Sequence, residues 1–342
     1  NPNLYCIDVD DPVYFITNFT VINNFDSLVN FNTNCATAFG CTDFLAFNYD
    51  PLATLDNGNC TYCNQYGNAK ILAGSNGGLL ALRSDSVLNG AGTAYVNVEA
   101  KGVSYLQNIP AFADDLTQIA VSGENAIGLH SDGSVAIWGQ SYSTPLHIPV
   151  SAMYVSIGQG GGNTYNIPHI ILNDSTTFDM SSYGYSHPFS GVNGIIQIEG
   201  GEGFTLALLA NGTVISAGTS HPADSVPLGL SNVIQIAAGL NHALALKNDG
   251  SVVAWGDNQE NCTDVPVFLN NVIDIAAGEK RNLVLKSDGT VVTWGWNGIP
   301  TYNNWIFNTV PSNAYDVIAI ECRENGLNAV LKSNGDVICW GY

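Results

Sequence analysis

The sequence predicts an all-β fold, a seven-bladed β-propeller preceded by a small disulfide-rich β module. Three observations carry that expectation. A turn of the type Asp-Gly or Asn-Gly recurs at Asp132-Gly133, Asn211-Gly212, Asp249-Gly250, Asp288-Gly289 and Asn334-Gly335. Five residues after each of these glycines stands Trp138, Ala217, Trp255, Trp294 or Trp340, always followed by Gly. Between these marks the chain is written in short apolar runs that alternate with polar residues, the period of a strand.

The stretch Val233–Asn258, VIQIAAGLNHALALKNDGSVVAWGDN, shows one unit in full. Val233–Ala237 reads as a first strand and His242–Leu246 as a second. Asn248-Asp249-Gly250 reads as a hairpin turn, in which Asp-Gly supplies the positive φ of a two-residue loop. Ser251–Trp255 is a third strand, ended by Gly256. The turn glycines Gly212, Gly250, Gly289 and Gly335 are separated by 38, 39 and 46 residues, whereas Gly133 and Gly212 are 79 apart, two periods. A degenerate copy is therefore expected over 154–194, with Ile170–Leu172 and Asn173-Asp174 in the corresponding places, and another over Ile71–Ser86. Seven copies result, starting near Lys70, Gln118, Tyr154, Ile196, Val233, Val272 and Val317. A unit of about 40 residues built of several short strands is the signature of a propeller blade. The recurring Trp is expected to pack between blades, and the Gly after it to allow close backbone approach.

The pattern AAG-x-x-H-x-L-x-L-K-x-D-G-x-V-x-x-W-G resembles the regulator-of-chromosome-condensation repeat, a family of seven-bladed propellers. With Gln259–Pro266 after WGDN, the chain is similar to the secreted bacterial β-lactamase inhibitory propellers of that family. The resemblance spans roughly residues 66–342, the expected propeller domain, and it implies a fold rather than an activity.

Residues 1–65 form the expected N-terminal module. Cys6, Cys35, Cys41, Cys60 and Cys63, five of the eight cysteines, fall here. Such density points to disulfides and an oxidising compartment, with Cys6 and Cys35 a candidate closing pair. No compact CxxC…CxxC or Cys/His spacing suggests a zinc site. GCTDFLAFNYDPLATLDNGNC, residues 40–60, resembles a short disulfide motif of surface and secreted proteins of the Bacteroidetes, with Asn57 and Asn59 departing from it. That resemblance implies Cys41–Cys60 pairing and export by the type IX secretion route. Asp43, Asp50 and Asp56 are candidate calcium ligands, although the alternate acidic positions and closing Glu of a calcium loop are absent; turn chemistry explains Asp-Pro and Asp-Asn-Gly as well.

The formal net charge is −20, with 9 Lys plus Arg against 29 Asp plus Glu. A nucleic-acid partner needs clustered cations, so this balance argues against one. It also counts against a chromatin role. No apolar run reaches the roughly 20 residues of a membrane span. Asn1 is not an initiator Met, and the reading is of a mature or trimmed chain. An extracellular or outer-membrane surface location is the expectation.

Catalytic signatures are absent. No HExxH, Gly-x-Ser-x-Gly or phosphate-binding loop occurs, and none of the six histidines shares metal-ligand spacing with another. Cys322 and Cys339 fall on the first and third strands of the last blade, as two thiols or as a disulfide. No cofactor is expected. The candidate binding residues are aromatic side chains between strands, Tyr183 and Tyr185 in blade three and Trp296, Tyr302 and Trp305 in blade six, which could stack on a sugar or anchor a protein; packing against neighbouring blades competes with that reading. Ser27, Ser86, Ser175 and Ser225, each after Asp, match a short O-glycosylation acceptor pattern. The reading is a non-enzymatic exported binding protein, a surface adhesin or a subunit of an outer-membrane complex, binding protein or glycan. The alternatives are a polysaccharide-active enzyme and a secreted enzyme inhibitor.

Overall fold

In the computed structural model the described residues are 6–8, 30–32, 39–40, 55–56, 69–75, 78–83, 87–88, 94–95, 98–101, 109–113, 115–122, 125–158, 167–178, 187–218, 222–296, 309–322 and 328–340; up to Lys101 the description is of backbone only. The chain divides into two units, Asn1–Cys63 and Asn64–Tyr342. In the first unit, β1 (Cys6–Asp8) pairs in parallel with β2 (Asn30–Asn32), and β3 (Phe39–Gly40) with β4 (Leu55–Asp56). Cys6 and Asp56 are placed there by backbone alone. Cys35, Cys41, Cys60, Asp43 and Asp50 lie outside the described residues.

The second unit is a succession of seven antiparallel sheets. The first holds β5 (Ala69–Ser75), β6 (Gly78–Arg83) and β9 (Val98–Lys101), with a hairpin of β7 (Val87–Leu88) and β8 (Ala94–Tyr95) inserted before the last strand. The second holds β10 (Leu116–Ser122), β11 (Asn125–His130), β12 (Val135–Gly139) and a fourth strand, β13 (Tyr142–Ile148). The third, at the degenerate copy, shows β14 (Ala152–Ile157) and β15 (Pro168–Leu172). Then follow β16 (Ile195–Gly201), β17 (Phe204–Leu209) and β18 (Val214–Gly218). Blade five holds β19 (Val233–Ala238), β20 (His242–Lys247) and β21 (Val252–Gly256), and blade six β22 (Val272–Ala277), β23 (Arg281–Lys286) and β24 (Val291–Gly295). The seventh sheet holds β25 (Val317–Cys322), β26 (Asn328–Lys332) and β27 (Val337–Trp340).

The first strand of each blade lies beside the first strand of the next, and β25 and β26 of the last blade meet β5 of the first. The ring is closed, and the seven first strands form its inner wall. Closure removes the sheet edge that each blade would otherwise present.

Between blades the core is aliphatic, with a Trp at several joins and Ala217 at that of blades three and four. Trp255 is buried with Leu206, Leu208 and Val233, across blades four and five; Trp294 is buried with Leu244, Leu246 and Val272, across blades five and six. The indole N–H groups of these two are also held. Trp255 Nε1 donates to Ala223 O at 2.9 Å and Trp294 Nε1 to Cys262 O at 3.0 Å. Ala223 and Cys262 occupy the same place in the loops that lead out of blades four and five (ADSVP and CTDVP), so each loop lies against the Trp of the following blade. Gly256 has φ +109°, and a Cβ there would fall 2.6 Å from Asn241 O, which explains why Gly follows the Trp.

Candidate binding face

Two rings of the fold meet on one face. The outer is made of the turns that join the second and third strands of the blades. Gly250 N–H donates to Lys247 O at 2.9 Å and Lys247 N–H to Ser251 O at 2.9 Å. Gly250 is left-handed, with φ +76°, while Asp249 is not among the positive-φ residues. The loop is thus a three-residue turn closing on a left-handed Gly, rather than the two-residue loop the sequence suggests. Asp249 caps it through its side chain: Oδ1 accepts from Ser251 N–H at 3.0 Å and from Ser251 Oγ at 2.5 Å. Asp132, Asp174 and Asp288 do the same to Ser134, Thr176 and Thr290. These hydrogen bonds to the carboxylate form hold the carboxyls of all four aspartates below the usual range, that of Asp288 to about 2.

Four of the turns are stitched to the blade after them. Gly133 O, Ser175 O, Gly212 O and Gly250 O accept from Ala152, Ile195, Val233 and Val272 N–H at 2.9, 3.0, 3.1 and 3.3 Å. The turns therefore form a continuous belt beside the starts of the first strands. A left-handed residue precedes most of those starts: Asp115, Gly194, Asn232, Asn271 and Asp316, the side chains or glycine that tolerate it best.

The inner ring arises from a bulge. In every blade the second residue of the first strand has no partner on the second strand: Lys70, Thr117, Met153, Ile196, Ile234, Ile273 and Ile318 are skipped by the register. A bulge re-aims its side chain. Here it turns aliphatic side chains outward, with Ile234 and Ile273 each 55% exposed, Ile318 54% and Met153 40%. On the loops approaching the same strands, Leu228 and Val267 are fully exposed and Phe268 largely so.

The residue after the bulge ties the inner wall together. Gln118 Nε2 donates to Val155 O at 3.0 Å while its Oε1 accepts from Val155 N–H at 3.2 Å. Gln197 does this to Ile236, at 2.8 and 2.9 Å. Gln235 Oε1 accepts from Ile275 N–H at 3.3 Å, and its Nε2 donates to Asp274 Oδ1 at 2.7 Å. A primary amide has the same donor–acceptor pair as a peptide unit, so it bridges first strands that diverge too far to pair.

On the far side, His242 is buried, with Nε2 2.8 Å from Asn282 Oδ1 in the next blade. Burial pushes its pKa down to about 4. Blade three has a different arrangement, a buried pair in which His169 Nδ1 lies 3.0 Å from His187 Nε2. His187 Nδ1 accepts from Phe189 N–H, so its Nε2 carries the proton toward His169. Burial, then the charge on His187, lowers the His169 pKa to about 3. His169 is thus neutral near pH 7, as His242 is.

Of the aromatic residues nominated from sequence, Trp296 is half-buried at the end of blade six, its N–H donating to Lys280 O at 2.8 Å. Tyr183, Tyr185, Tyr302 and Trp305 lie outside the described residues, as do Ser27 and Ser86. Ser175 proves to hold the turn position that Gly250 holds in blade five, with φ +63°, and Asp174 before it is the turn cap. That Asp-Ser-Thr sequence is explained by turn chemistry. Ser225 is exposed beside the short 3-10 turn Pro222–Asp224. Cys322 is a free buried thiol, as is Cys262, whereas Cys339 is disulfide-bonded, so Cys322 and Cys339 are not a pair. Burial, above all, pushes the Cys262 thiol up to about 12, far from a nucleophile's range. Among the described residues no group of three or more His, Cys, Asp or Glu could hold a metal, and no helix is long and apolar enough to cross a membrane.

The belt of turns, the closed ring and the repeated Trp-Gly define a propeller built like those of the regulator of chromosome condensation. The Regulator of chromosome condensation (RCC1) repeat matches residues 233–262 and 272–298. Among solved structures, the chain is similar to the CRINKLY WD40 ectodomain of the Arabidopsis thaliana receptor kinase ACR4, with 18% identity, 80% of this chain and 96% of that chain covered and a TM-score of 0.56. It is similar to the entire ectodomain of the Physcomitrella patens receptor kinase CR4, with 19% identity, 80% and 74% covered and a TM-score of 0.57. Against Prp20p from Saccharomyces cerevisiae the identity is 18%, the coverage 89% and 80%, and the TM-score 0.42. No curated protein matches the sequence. At these identities the likeness to the two receptor-kinase ectodomains is one of fold.

Proposed function

We propose that this protein is a non-enzymatic platform for binding other proteins, and that the face carrying the turns is its working surface. One observation carries the reading. A bulge repeated in every blade exposes Ile234, Ile273 and Ile318 in register around the inner ring. Burying such side chains would yield about 1.5–3 kcal/mol each, and a fold that re-aims them outward at a repeated position forgoes that stabilisation. Blades five to seven thus carry an exposed apolar arc, while blades one and two hold Lys70 and Thr117 at the same position; exposed apolar patches of this kind are a mark of protein interfaces.

We place the protein at the cell surface, as a subunit of an outer-membrane assembly or an adhesin. This rests on the cysteine-rich first 63 residues and on the motif at 40–60. Cross-linking in native cells followed by mass spectrometry tests it. Lys247 and Lys286, both on the turn face, should cross-link to an envelope protein. Recovery of the chain alone in the medium, or cross-links confined to other faces, would overturn it.

A further inference from the structure

We propose that the turn face docks a polypeptide segment whose apolar side chains are flanked by lysines and arginines. This rests on the reading of that face as a protein-binding surface and specifies the partner's chemistry. The apolar ring is bordered by carboxylates. Asp132, Asp174, Asp249 and Asp288 sit at the turns, and Asp115 and Asp316 immediately precede first strands; all six are exposed.

Lys70 holds the bulge position in blade one, placed there by backbone alone; among the residues with described side chains, the cations on this face are already engaged. Lys247 Nζ is 3.6 Å from Asp249 Oδ2 and Lys286 Nζ 3.3 Å from Asp288 Oδ2. Lys332 is buried, with Nζ 3.6 Å from the centre of the Tyr315 ring. Among residues with described side chains, the border is therefore a field of negative charge around an apolar centre. The turn carboxylates keep that charge into mildly acidic solution, because their hydrogen bonds to Ser and Thr favour the ionised form. Complementary potential is what selects partners and speeds encounter. A second copy of this chain would bring the same carboxylates face to face, and an anionic lipid surface would meet the same repulsion. A segment with an apolar centre and a cationic border satisfies both rings.

The test uses the full chain and three fluorescent peptides of equal length, titrated at physiological salt: one alternating Leu with Lys, one Leu with Glu and one Ser with Lys. The second sample is the Ile234→Ser, Ile273→Ser, Ile318→Ser variant, whose exposed substitutions leave the core intact, as its unfolding temperature will verify. The Leu/Lys peptide should bind the native chain, and the variant should bind it at least about tenfold more weakly. The Ser/Lys and Leu/Glu peptides should bind the native chain weakly. If the Leu/Glu peptide binds as well as the Leu/Lys peptide and loses its binding in the variant, the cationic partner is wrong while the protein-binding face stands. If the Leu/Lys peptide binds native and variant chains alike, only net charge is at work and the proposal fails. If neither Leu peptide binds, the face itself is not a docking surface.

Discussion

Blades five and three are made by the same repeat and solve the same problems with different residues. In blade five the turn closes on Gly250, the join is filled by Trp255, and a single buried histidine reaches the next blade. In blade three the turn closes on Ser175, and two histidines stack edge to face where blade five has one. What both keep is the backbone logic: the bulge after the first residue, the Asp cap at the turn and the bond from the turn to the next blade. The repeat is held by backbone geometry first and by particular side chains second.

The sharpest way to break the comparison is to remove a regular blade's Trp. Trp294→Ala should cost about 3–5 kcal/mol, through the cavity between blades five and six and through the lost bond to Cys262 O. A denaturant titration would show it as a lower midpoint. A loss under about 1 kcal/mol would mean the joins are as tolerant in blade six as in blade four, where Ala217 stands in place of Trp.

Acid should act on both blades. His169 and His242 are held neutral in the fold, with pKa values of about 3 and about 4 against 6.5 when free. As pH falls below about 6.5 the unfolded chain takes up protons that the folded chain refuses. Stability is therefore lost on acidification, at up to ~1.4 kcal/mol per pH unit for each histidine, until the folded-state values are reached. Urea midpoints between pH 7 and pH 4 measure this. His242→Asn should flatten part of the slope and leave the share that belongs to blade three.

A smaller effect tests the inner wall. Gln235→Ala leaves Ile275 N–H to Asp274 Oδ1 alone and removes the bond between blades, which should cost about 0.5–1.5 kcal/mol. Gln235→Glu keeps the acceptor but sets a carboxylate against Asp274, so it should be no better than Ala. Hydrogen exchange at Ile275 would localise the loss. The smallest change goes the other way. Ser175→Gly should stabilise by about 1 kcal/mol, because a left-handed residue without Cβ carries no steric penalty there. The reciprocal Gly250→Ser should destabilise by a similar amount, and thermal unfolding would compare the two.

Much of this was readable in the chain. The seven starts, the capped turns and the Trp-Gly joins are local patterns, and the structure places first strands within two residues of the expected starts. The clasps were readable in principle, since Gln118, Gln197 and Gln235 hold one place in the repeat, but their meaning lies in a neighbour about 40 residues on. The exposed ring was not readable. Val-Ile-Gln-Ile looks like a strand with Ile234 buried or alternating, and a one-residue bulge reverses which side chain faces solvent. The aromatic residues that sequence singled out lie mostly outside the described residues, and Trp296 is half-buried.

The stitching of turns in blades two to five to the blades after them has a consequence for how such a chain can diversify. Gly250 and Gly289 lie 39 residues apart and Gly289 and Gly335 lie 46 apart, and the extra length falls after Trp296, between one blade's last strand and the next blade's first. Duplication and insertion can thus lengthen those connectors while the belt of turns keeps its spacing. The connectors are free to vary in length, and the rim of turns is copied nearly unchanged from blade two onward, blade one carrying an inserted hairpin there, like the fixed gauge of a track whose sidings differ at every station.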